Sequence, residues 1–284
     1  MQTGAVTALQ DEDAALGELS AFVAAGDVMV LTGAGLSTES GIPDYRGPTG
    51  ALRRSLPMTY QSFTGDPVAR RRYWARSQLG WRHVARAAPN DGHRAVATMQ
   101  ERGHLTGVVT QNVDGLHQAG GARSVVELHG NLDLVVCLGC GERTSRDDLD
   151  VRLRAANPDW EARVTAVNPD GDVTIADAEV ERFATVDCAS CGGVLKPDVV
   201  FFGENVPPAK VEHCYGLVER SRALLVLGSS LTVMSGLRFV KRAATSGIPV
   251  GIVNQGVTRG DDLAALRVSA PLGRTLTALV TGLI

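Results

Sequence analysis

Four of the five cysteines stand in two pairs of the same spacing, Cys137-x-x-Cys140 and Cys188-x-x-Cys191. Together the pairs supply four thiolates, the full ligand set of a closed tetrahedral zinc site. Because a catalytic zinc keeps one position open for water, the closed set predicts a structural ion. The alternative, a thioredoxin-like redox site, would need only one pair in a βαβ setting. We therefore predict one zinc ion bound by all four cysteines.

A glycine-containing turn follows the apolar run 28–31, which is short and β-branched enough to be a buried strand. Gly33, Ala34 and Gly35 carry little or no side chain, so their backbone N–H groups can approach a pyrophosphate. We expect a helix N-terminus to follow and to add its positive dipole end. The pattern predicts a dinucleotide site, but Thr38 stands where the dehydrogenase fingerprint needs its third glycine.

Polar or glycine-containing stretches follow three further apolar runs of the sequence. They are Gln111, Asn112 and Asp114, then Gly228, Ser229 and Ser230, and finally Asn254, Gln255 and Gly256. In an open α/β sheet, residues at the carboxyl ends of the strands line the ligand crevice. Any one stretch alone could be a simple turn. Together with the first turn, they predict one cofactor cleft built from distant segments.

His129 follows the predicted strand 124–128 and precedes Gly130, which leaves room beside the imidazole. A single histidine is more often structural than catalytic. The unperturbed pKa of imidazole, however, suits proton abstraction near neutral pH. The position at a strand end therefore makes His129 a candidate general base.

Residues 32–47 resemble the cofactor-binding loop of the sirtuins, the NAD-dependent protein-lysine deacylases. After the glycines, the run carries an acid, an aromatic residue and a cation, which are Asp44, Tyr45 and Arg46. The resemblance extends over about residues 16–283. Its details are most like the class II branch typified by a mitochondrial animal sirtuin.

Two further motifs carry the same resemblance. Gln-Asn-Val-Asp at 111–114 matches the sirtuin Gln-Asn-x-Asp motif, and Leu-His-Gly at 128–130 resembles the setting of the sirtuin general base. The resemblance implies NAD contacts at Gly33, Ala34, Gly35, Ser37, Thr38, Asp44, Tyr45, Arg46, Gln111, Asn112, Asp114, Gly228, Ser229, Ser230, Asn254, Gln255, Gly256 and Leu272.

The resemblance also implies a mechanism. The acyl carbonyl oxygen attacks the anomeric carbon of the nicotinamide ribose, nicotinamide leaves, and His129 takes a ribose proton so that the hydroxyl attacks the imidate. Asn112, with Ser37 and Asp114, would orient the ribose and the nicotinamide amide. The products would be lysine, nicotinamide and acyl-ADP-ribose, with His129 and Asn112 as the catalytic residues.

The segment 195–204 looks like the part of sirtuins that receives the acyl-lysine peptide. Pro197 indicates an edge or the start of a strand, and an exposed edge can pair with an extended peptide. The alternative is an ordinary core strand. The substrate contacts implied by the resemblance are Val200, which would line the acyl-lysine tunnel, Phe201, Phe202 and Gly203.

A predicted helix at about 66–87 carries an arginine-rich run. Tyr73 and Arg76 lie three residues apart, so they share a face of the helix. This Tyr-x-x-Arg spacing resembles the pair with which some sirtuins hold an acidic acyl group. The alternative is a solvated helix face.

The fold implied by the resemblance is α/β, a Rossmann-like doubly wound parallel sheet with a small zinc-binding module. We expect the NAD domain to be discontinuous, at 11–46, 107–130 and 198–284. The small domain with the zinc ribbon would comprise 47–106 and 131–197. About thirty residues more than a usual zinc ribbon separate the cysteine pairs, which predicts a surface excursion from about 147 to 183.

The composition restricts the class of protein. A hydrophobic content of 44% indicates a globular chain, and a formal charge of −3 gives no electrostatic footprint for nucleic acid. We find no apolar stretch long enough to span a bilayer, and Asp11, Glu12 and Asp13 stand where a signal peptide would carry positive charge. We therefore expect a cytoplasmic protein without nucleic-acid or membrane partners.

These inferences predict an NAD-dependent protein-lysine deacetylase or deacylase that acts on acyl-lysine proteins or peptides. A protein mono-ADP-ribosyltransferase using the same cleft is the alternative. A non-catalytic NAD sensor and a zinc-ribbon interaction protein are further alternatives, but the first leaves His129 without a role and the second leaves the glycine turns without one. The preferred acyl group stays open between acetyl and dicarboxylic chains.

Overall fold

The structure, a computed structural model, describes residues 3–44, 57–162, 166–167 and 173–283. Its helices are α1 (Thr3–Ala24), α2 (Tyr60–Gly65), α3 (Pro67–Ala85), α4 (Asp91–Glu101), α5 (Leu116–Ala119), α6 (Arg146–Ala156), α7 (Asp177–Glu181), α8 (Pro208–Arg220), α9 (Met234–Thr245) and α10 (Leu272–Gly282). Its strands are β1 (Val28–Thr32), β2 (Leu105–Thr110), β3 (Val125–Glu127), β4 (Gly130–Cys137), β5 (Arg143–Ser145), β6 (Ala166–Val167), β7 (Val173–Thr174), β8 (Leu195–Val199), β9 (Ala223–Leu227), β10 (Val250–Val253) and β11 (Leu266–Val268).

Six parallel strands form the large sheet in the order β3-β2-β1-β9-β10-β11. The strands are apolar because helices cover both faces of the sheet. Val28 and Val30 of β1 pack with α1, α4 and α10, whereas Met29 and Leu31 pack on the opposite face with α8 and α9. This confirms the predicted doubly wound parallel sheet. The strand order reverses between β1 and β9, which is where such sheets bind ligands.

A second, antiparallel sheet has the order β5-β4-β8, so β8 lies at its edge. Its core contains an aromatic cluster of Phe63 from α2, Tyr73 and Trp74 from α3, and Phe201, which follows β8. The structure therefore has a smaller unit beside the large sheet. The predicted domain boundaries remain a prediction; α4, inside the predicted small-domain range, packs on the large sheet.

The prediction of a surface excursion between the cysteine pairs is wrong for much of its described part. Leu149 and Leu153 of α6 and Phe183 are buried in the core of the small unit. Trp160 contacts Phe183 with ring centroids 4.7 Å apart, and its indole Nε1 donates to the Glu179 carbonyl at 2.7 Å. Few apolar residues are needed to anchor such a segment, and these aromatic contacts supply them.

A membrane-spanning segment was also tested against the structure. Among the helices of the described ranges, none combines the length and the apolar character that crossing a bilayer requires.

Candidate functional site

Glycines form the contact between the loops that follow β1 and β9, at the point where the strand order reverses. The Gly33 N–H donates to the Leu227 carbonyl at 3.0 Å, and the Gly35 N–H donates to the Gly228 carbonyl at 2.8 Å. A Cβ added to Gly33 would lie 2.7 Å from Ser229 Cβ, and one added to Gly35 would lie 2.9 Å from the Gly228 carbonyl oxygen. The two loops can approach this closely only without side chains.

The expected α-helix after these glycines is absent from the described residues that follow them. Two short 3₁₀ turns, Ala34–Leu36 and Thr38–Ser40, take its place. The second turn ends at Gly41, whose φ of 83° is left-handed. Because no α-helix begins among residues 34–44, the positive end of a helix dipole, which the sequence predicted for this turn, is not found there.

Polar side chains from two distant segments, the turn after β1 and the stretch after β2, meet here. The Ser37 hydroxyl donates to Asp114 Oδ2 at 2.7 Å, and Asn112 Nδ2 donates to Ser37 Oγ and to the Gly33 carbonyl, each at 3.0 Å. Burial raises the pKa of Asp114, although its hydrogen bond from Ser37 acts in the opposite direction. The Ser37, Asn112 and Asp114 side chains thus form one connected group, as the sequence analysis expected of a single cleft.

His129 lies at the carboxyl end of β3 with both ring nitrogens hydrogen-bonded. Nδ1 lies 2.8 Å from the Gln111 carbonyl, and Nε2 lies 2.8 Å from Ser235 Oγ. A carbonyl only accepts, so Nδ1 carries the proton and the Nε2 lone pair accepts from the serine hydroxyl. Burial lowers the pKa of His129 to about 4, the bond to Gln111 opposes this, and the positive charges of Lys210 and Arg238 add to it. The ring is therefore neutral at pH 7 and can accept a proton at Nε2.

The remaining strand ends lie along the same edge of the sheet. Gln111 Nε2 donates to Ser229 Oγ at 2.8 Å, which ties the end of β2 to the loop after β9. Asn254, after β10, folds back on the carbonyls of Gln255 and Gly256, each at 3.1 Å. Residues 228–230 and 254–256 thus follow neighbouring strands, as predicted.

The last residues of the predicted cofactor set are described only in part. Leu272 begins α10, and a Cβ added to Gly228 would lie 2.7 Å from its Cδ1, so Leu272 borders the glycine contact. Asp44 is half-buried at the end of the described loop. Tyr45 and Arg46 lie outside the described residues.

The segment after β8 passes directly beside the histidine. The Val200 N–H donates to the His129 carbonyl at 2.7 Å, and the Phe202 carbonyl accepts from the Tyr60 N–H at 2.9 Å. Val200 and Phe202 are half-buried, and Gly203, with a φ of 78°, is exposed. Residues 200–203 therefore contribute partly exposed groups to the surface next to the candidate base.

A buried ion pair fixes the bend of this segment. Lys196 Nζ lies 3.1 Å from Glu204 Oε2 and 4.8 Å from the centroid of the Phe201 ring, and the same carboxylate oxygen accepts from the Phe201 N–H at 2.8 Å. Burial lowers the pKa of Lys196, and the Glu204 charge opposes that change. The sequence analysis assigned no role to Lys196 or Glu204.

The four predicted zinc ligands come together, all with their sulfur atoms within 4.8 Å of one another. The Sγ atoms of Cys137 and Cys191 are 3.5 Å apart, and those of Cys140 and Cys188 are 3.8 Å apart. Tetrahedral bonds of about 2.3 Å to one zinc ion would place the sulfurs about 3.8 Å apart. Backbone N–H groups, first that of Cys140, lower the pKa of the Cys137 thiol to about 6. The cluster fits one zinc ion with no open coordination position.

Comparison with known proteins now decides the family. The sequence profile described as "Sir2 family" matches residues 33–235, more than half of the chain. The chain belongs to the Sir2 family.

Curated relatives and a solved structure agree with this assignment. "NAD-dependent protein deacetylase 1" of Streptomyces coelicolor is 62% identical over 255 residues, covering 90% of this chain and 85% of the relative. The protein of the same name from Mycobacterium avium is 51% identical over 265 residues, covering 92% and 93%. The solved structure "Sir2-p53 peptide-NAD+" is 30% identical with a TM-score of 0.72, covering 89% of this chain and 92% of that one.

In this sirtuin, two buried histidines contact residues within or next to the group formed by Ser37, Asn112 and Asp114. His93 Nε2 lies 3.5 Å from Ser37 Oγ, and His117 Nε2 lies 2.9 Å from Thr32 Oγ1. The Thr32 hydroxyl donates to Thr110, so it accepts from an Nε2–H of His117. Burial lowers the pKa of His93 to about 4 and that of His117 to about 3. The sequence analysis did not single out His93, although its position three residues after Asn90, which caps α4, follows the capping-box spacing.

Tyr73 and Arg76 of the sirtuin have different surroundings. Tyr73 is buried against Phe63 and Phe201, with ring centroids 5.4 and 5.2 Å away, so it lies behind the candidate peptide segment. Arg76 Nε donates to the Val173 carbonyl of β7. Their role in acyl binding remains a prediction.

Ser235 is a site residue that the sequence analysis missed. It stands in the first turn of α9, 106 positions after the histidine that it contacts. A serine near a predicted helix start is commonly interpreted as a cap, so the sequence holds no signal that directs it toward His129.

Proposed function

We propose that this chain is an NAD-dependent protein-lysine deacetylase, with His129 as its general base. The observation that carries the proposal is the position of His129. Its Nδ1 is held by the Gln111 carbonyl, its backbone carbonyl holds Val200 of the candidate peptide segment, and its Nε2 lone pair, which accepts from the Ser235 hydroxyl, can serve as the base once that bond is exchanged. One residue thus joins the polar cleft to the surface beside it.

The residues of the cleft fit a dinucleotide. The glycines bring the loops after β1 and β9 together without side chains, although the Gly33 and Gly35 N–H groups are themselves bonded to the Leu227 and Gly228 carbonyls. A pyrophosphate would bind to those N–H groups of the turn that are not bonded to carbonyls. When bound, NAD supplies the ADP-ribose that accepts the acyl group as nicotinamide leaves. Ser37, Asn112 and Asp114, already hydrogen-bonded to one another, would hold the ribose and the amide in place. Such preorganised positioning is worth several powers of ten in rate.

The substrate we propose is an extended peptide carrying acetyl-lysine. Residues 200–203 continue from the edge strand β8, and a peptide can add to such an edge through backbone hydrogen bonds. The relatives named above are called deacetylases, and the solved neighbour contains a p53 peptide with NAD. The aromatic cluster of Phe63, Tyr73 and Phe201 beside this segment suits a small apolar acyl group.

The test is nicotinamide release with NAD and matched acetyl-, succinyl-, glutaryl- and lipoyl-lysine peptides, with mass analysis of both products. We expect lysine peptide and acetyl-ADP-ribose in equal amounts. Because the base and the positioning amide act in the transition state, His129→Ala and Asn112→Ala should each lower turnover at least about a hundred-fold. His213→Ala, which removes an exposed histidine of α8, is the control and should retain activity.

Other outcomes would select the alternatives. A peptide that gains ADP-ribose and keeps its acyl group would indicate the mono-ADP-ribosyltransferase, and binding of NAD without turnover would indicate a sensor. Faster nicotinamide release with the succinyl or glutaryl peptide than with the acetyl peptide, lost in Arg76→Ala, would support the prediction that Tyr73 and Arg76 bind an acidic acyl group. Full activity of His129→Ala would refute the proposed base.

A further inference from the structure

We propose that Ser235 is a positioning residue of this reaction, which holds the basic nitrogen of His129 until the substrate hydroxyl replaces it. The inference rests on the proposed function. Its basis is the pair of hydrogen bonds that hold the ring at both ends, 2.8 Å to the Gln111 carbonyl and 2.8 Å to Ser235 Oγ. Rotation of the ring about its Cβ–Cγ bond would break both hydrogen bonds, so the two together restrain its orientation more than either one alone.

Close packing fixes the position of the serine itself. Gly236, the next residue of α9, lies against Gln111, since a Cβ added there would be 2.5 Å from Gln111 Oε1. The first turn of α9 therefore cannot shift toward or away from Gln111 without disturbing this contact. Gln111 also supplies the carbonyl that holds Nδ1 of His129. Its contact with Gly236 therefore sets the distance between the two groups that bond the ring, the Gln111 carbonyl and the Ser235 hydroxyl.

The loop that leads into α9 is hydrogen-bonded to the same residue, Gln111. Gln111 Nε2 donates to Ser229 Oγ at 2.8 Å, and Ser229 Oγ accepts from the Leu231 N–H at 3.3 Å. Leu231 has a φ of 54°, a left-handed conformation that a branched apolar residue adopts only when its surroundings enforce it. Contacts from β2, β3 and the loop after β9 thus converge on the orientation of Ser235 and His129.

A hydroxyl suits this place because it can both donate and accept. Before proton transfer, the Ser235 O–H donates to the lone pair of neutral His129. The substrate hydroxyl must take over that lone pair, since a ring nitrogen has only one. Nε2 would then accept the proton of that hydroxyl and form an N–H bond, and the electron pair of the broken O–H bond would stay on the hydroxyl oxygen for attack on the acyl carbon. The Ser235 oxygen can then accept from the new N–H.

The first readout requires no activity: the ¹⁵N chemical shift of His129 Nε2 at neutral pH in wild type, Ser235→Ala and Ser235→Thr. The shift reports whether this nitrogen accepts a hydrogen bond. We expect a changed shift in Ser235→Ala and a wild-type shift in Ser235→Thr, which keeps the hydroxyl. Thr245→Ala, which removes a hydroxyl bonded only to the backbone of α9, is the matched control.

The second readout separates the two halves of the reaction. Exchange of labelled nicotinamide into NAD in the presence of acetyl peptide does not need the base, whereas formation of acetyl-ADP-ribose does. Because a hydrogen bond of this kind is typically worth about a five-fold change in rate, Ser235→Ala should lower product formation about five-fold and leave exchange within about two-fold of wild type. Ser235→Thr should restore product formation.

Three results would overturn the inference. They are an unchanged Nε2 shift in Ser235→Ala, equal losses of exchange and product formation, or wild-type product formation. The first means that the contact does not exist in solution, and the second means that α9 is merely distorted. Absence of acetyl-ADP-ribose from the wild-type enzyme itself would instead refute the proposed function, and the two failures are therefore distinguishable.

Discussion

Replacement of His117 by glutamine should make the protein less sensitive to acid. His117 is 1% exposed, and its Nδ1 finds no hydrogen-bond partner among the described residues, while its Nε2–H donates to Thr32. A proton added to Nδ1 would therefore be buried and unbonded. Glutamine keeps an N–H donor that can reach Thr32 but cannot be protonated.

The size of the effect follows from the pKa of His117. Burial, with a smaller contribution from His93, lowers that pKa from 6.5 to about 3. Between these values the unfolded chain binds more protons than the folded one, so the free energy of unfolding falls as the pH falls, by up to about 1.4 kcal/mol per pH unit. From pH 7.5 to pH 5 this residue alone removes about 2 kcal/mol. That is a large part of the about 5–15 kcal/mol that stabilises a typical protein.

The assay is urea unfolding followed by far-UV circular dichroism at several pH values between 7.5 and 5. We expect the wild type to lose about 2 kcal/mol more over this interval than His117→Gln, whatever the offset between them at pH 7.5. Carboxylates titrate alike in both proteins and cancel in the comparison. His213→Gln, which removes an exposed imidazole, should show the wild-type pH dependence. Parallel pH dependences of wild type and His117→Gln would refute the reasoning.

Three further changes test other parts of the site. Gly35→Ala places a methyl group 2.9 Å from the Gly228 carbonyl oxygen. Calorimetry should therefore find NAD binding weakened at least about ten-fold and the free energy of unfolding lowered by about 1–3 kcal/mol. Unaltered binding would contradict the glycine contact. Elemental analysis should find one zinc per chain, and Cys140→Ser or a strong chelator should remove it and change the tryptophan fluorescence, because such ions typically contribute about 10–16 kcal/mol. Glu204→Ala leaves Lys196, 3% exposed, without its carboxylate, so the free energy of unfolding should fall by about 3 kcal/mol and KM should rise more for peptide than for NAD. Equal KM changes would indicate a general loss of structure.

The parts of the structure that the sequence predicts best are those determined by local chemistry. The run before Gly33 is short and β-branched, which favours a buried strand, and its two faces pack as alternation requires. The cysteine pairs needed no tertiary information beyond their spacing, since the ligand set itself defines the coordination. Asn90 begins a helix because its side chain accepts from a backbone N–H that would otherwise be unpaired.

Contacts between distant segments were predicted less well. The 3₁₀ turns after Gly35 replace the expected helix because Gly41 stops the first possible helical run and the β9 loop packs against it. The segment between the cysteine pairs is anchored by Trp160 and Phe183, 23 positions apart in the sequence, which no local periodicity reveals. Motifs therefore predicted which residues lie close together but not which contacts hold them.

The surroundings of His129 show why the contacts between distant segments, which the motifs did not predict, matter for the proposed activity. The motif names the histidine, yet its protonation state depends on the Gln111 carbonyl after β2, its orientation depends on a hydroxyl of α9, and its distance from the candidate peptide segment depends on its own backbone bond to Val200. Each partner comes from a different segment, and none could be replaced by a local turn. The role proposed for His129 requires a base that is neutral, fixed and adjacent to two substrates. Such a base needs contacts from several segments, because a single loop offers too few rigid donors and acceptors. Substitutions around His129 should consequently affect the acyl-transfer half of the reaction more than the binding of NAD.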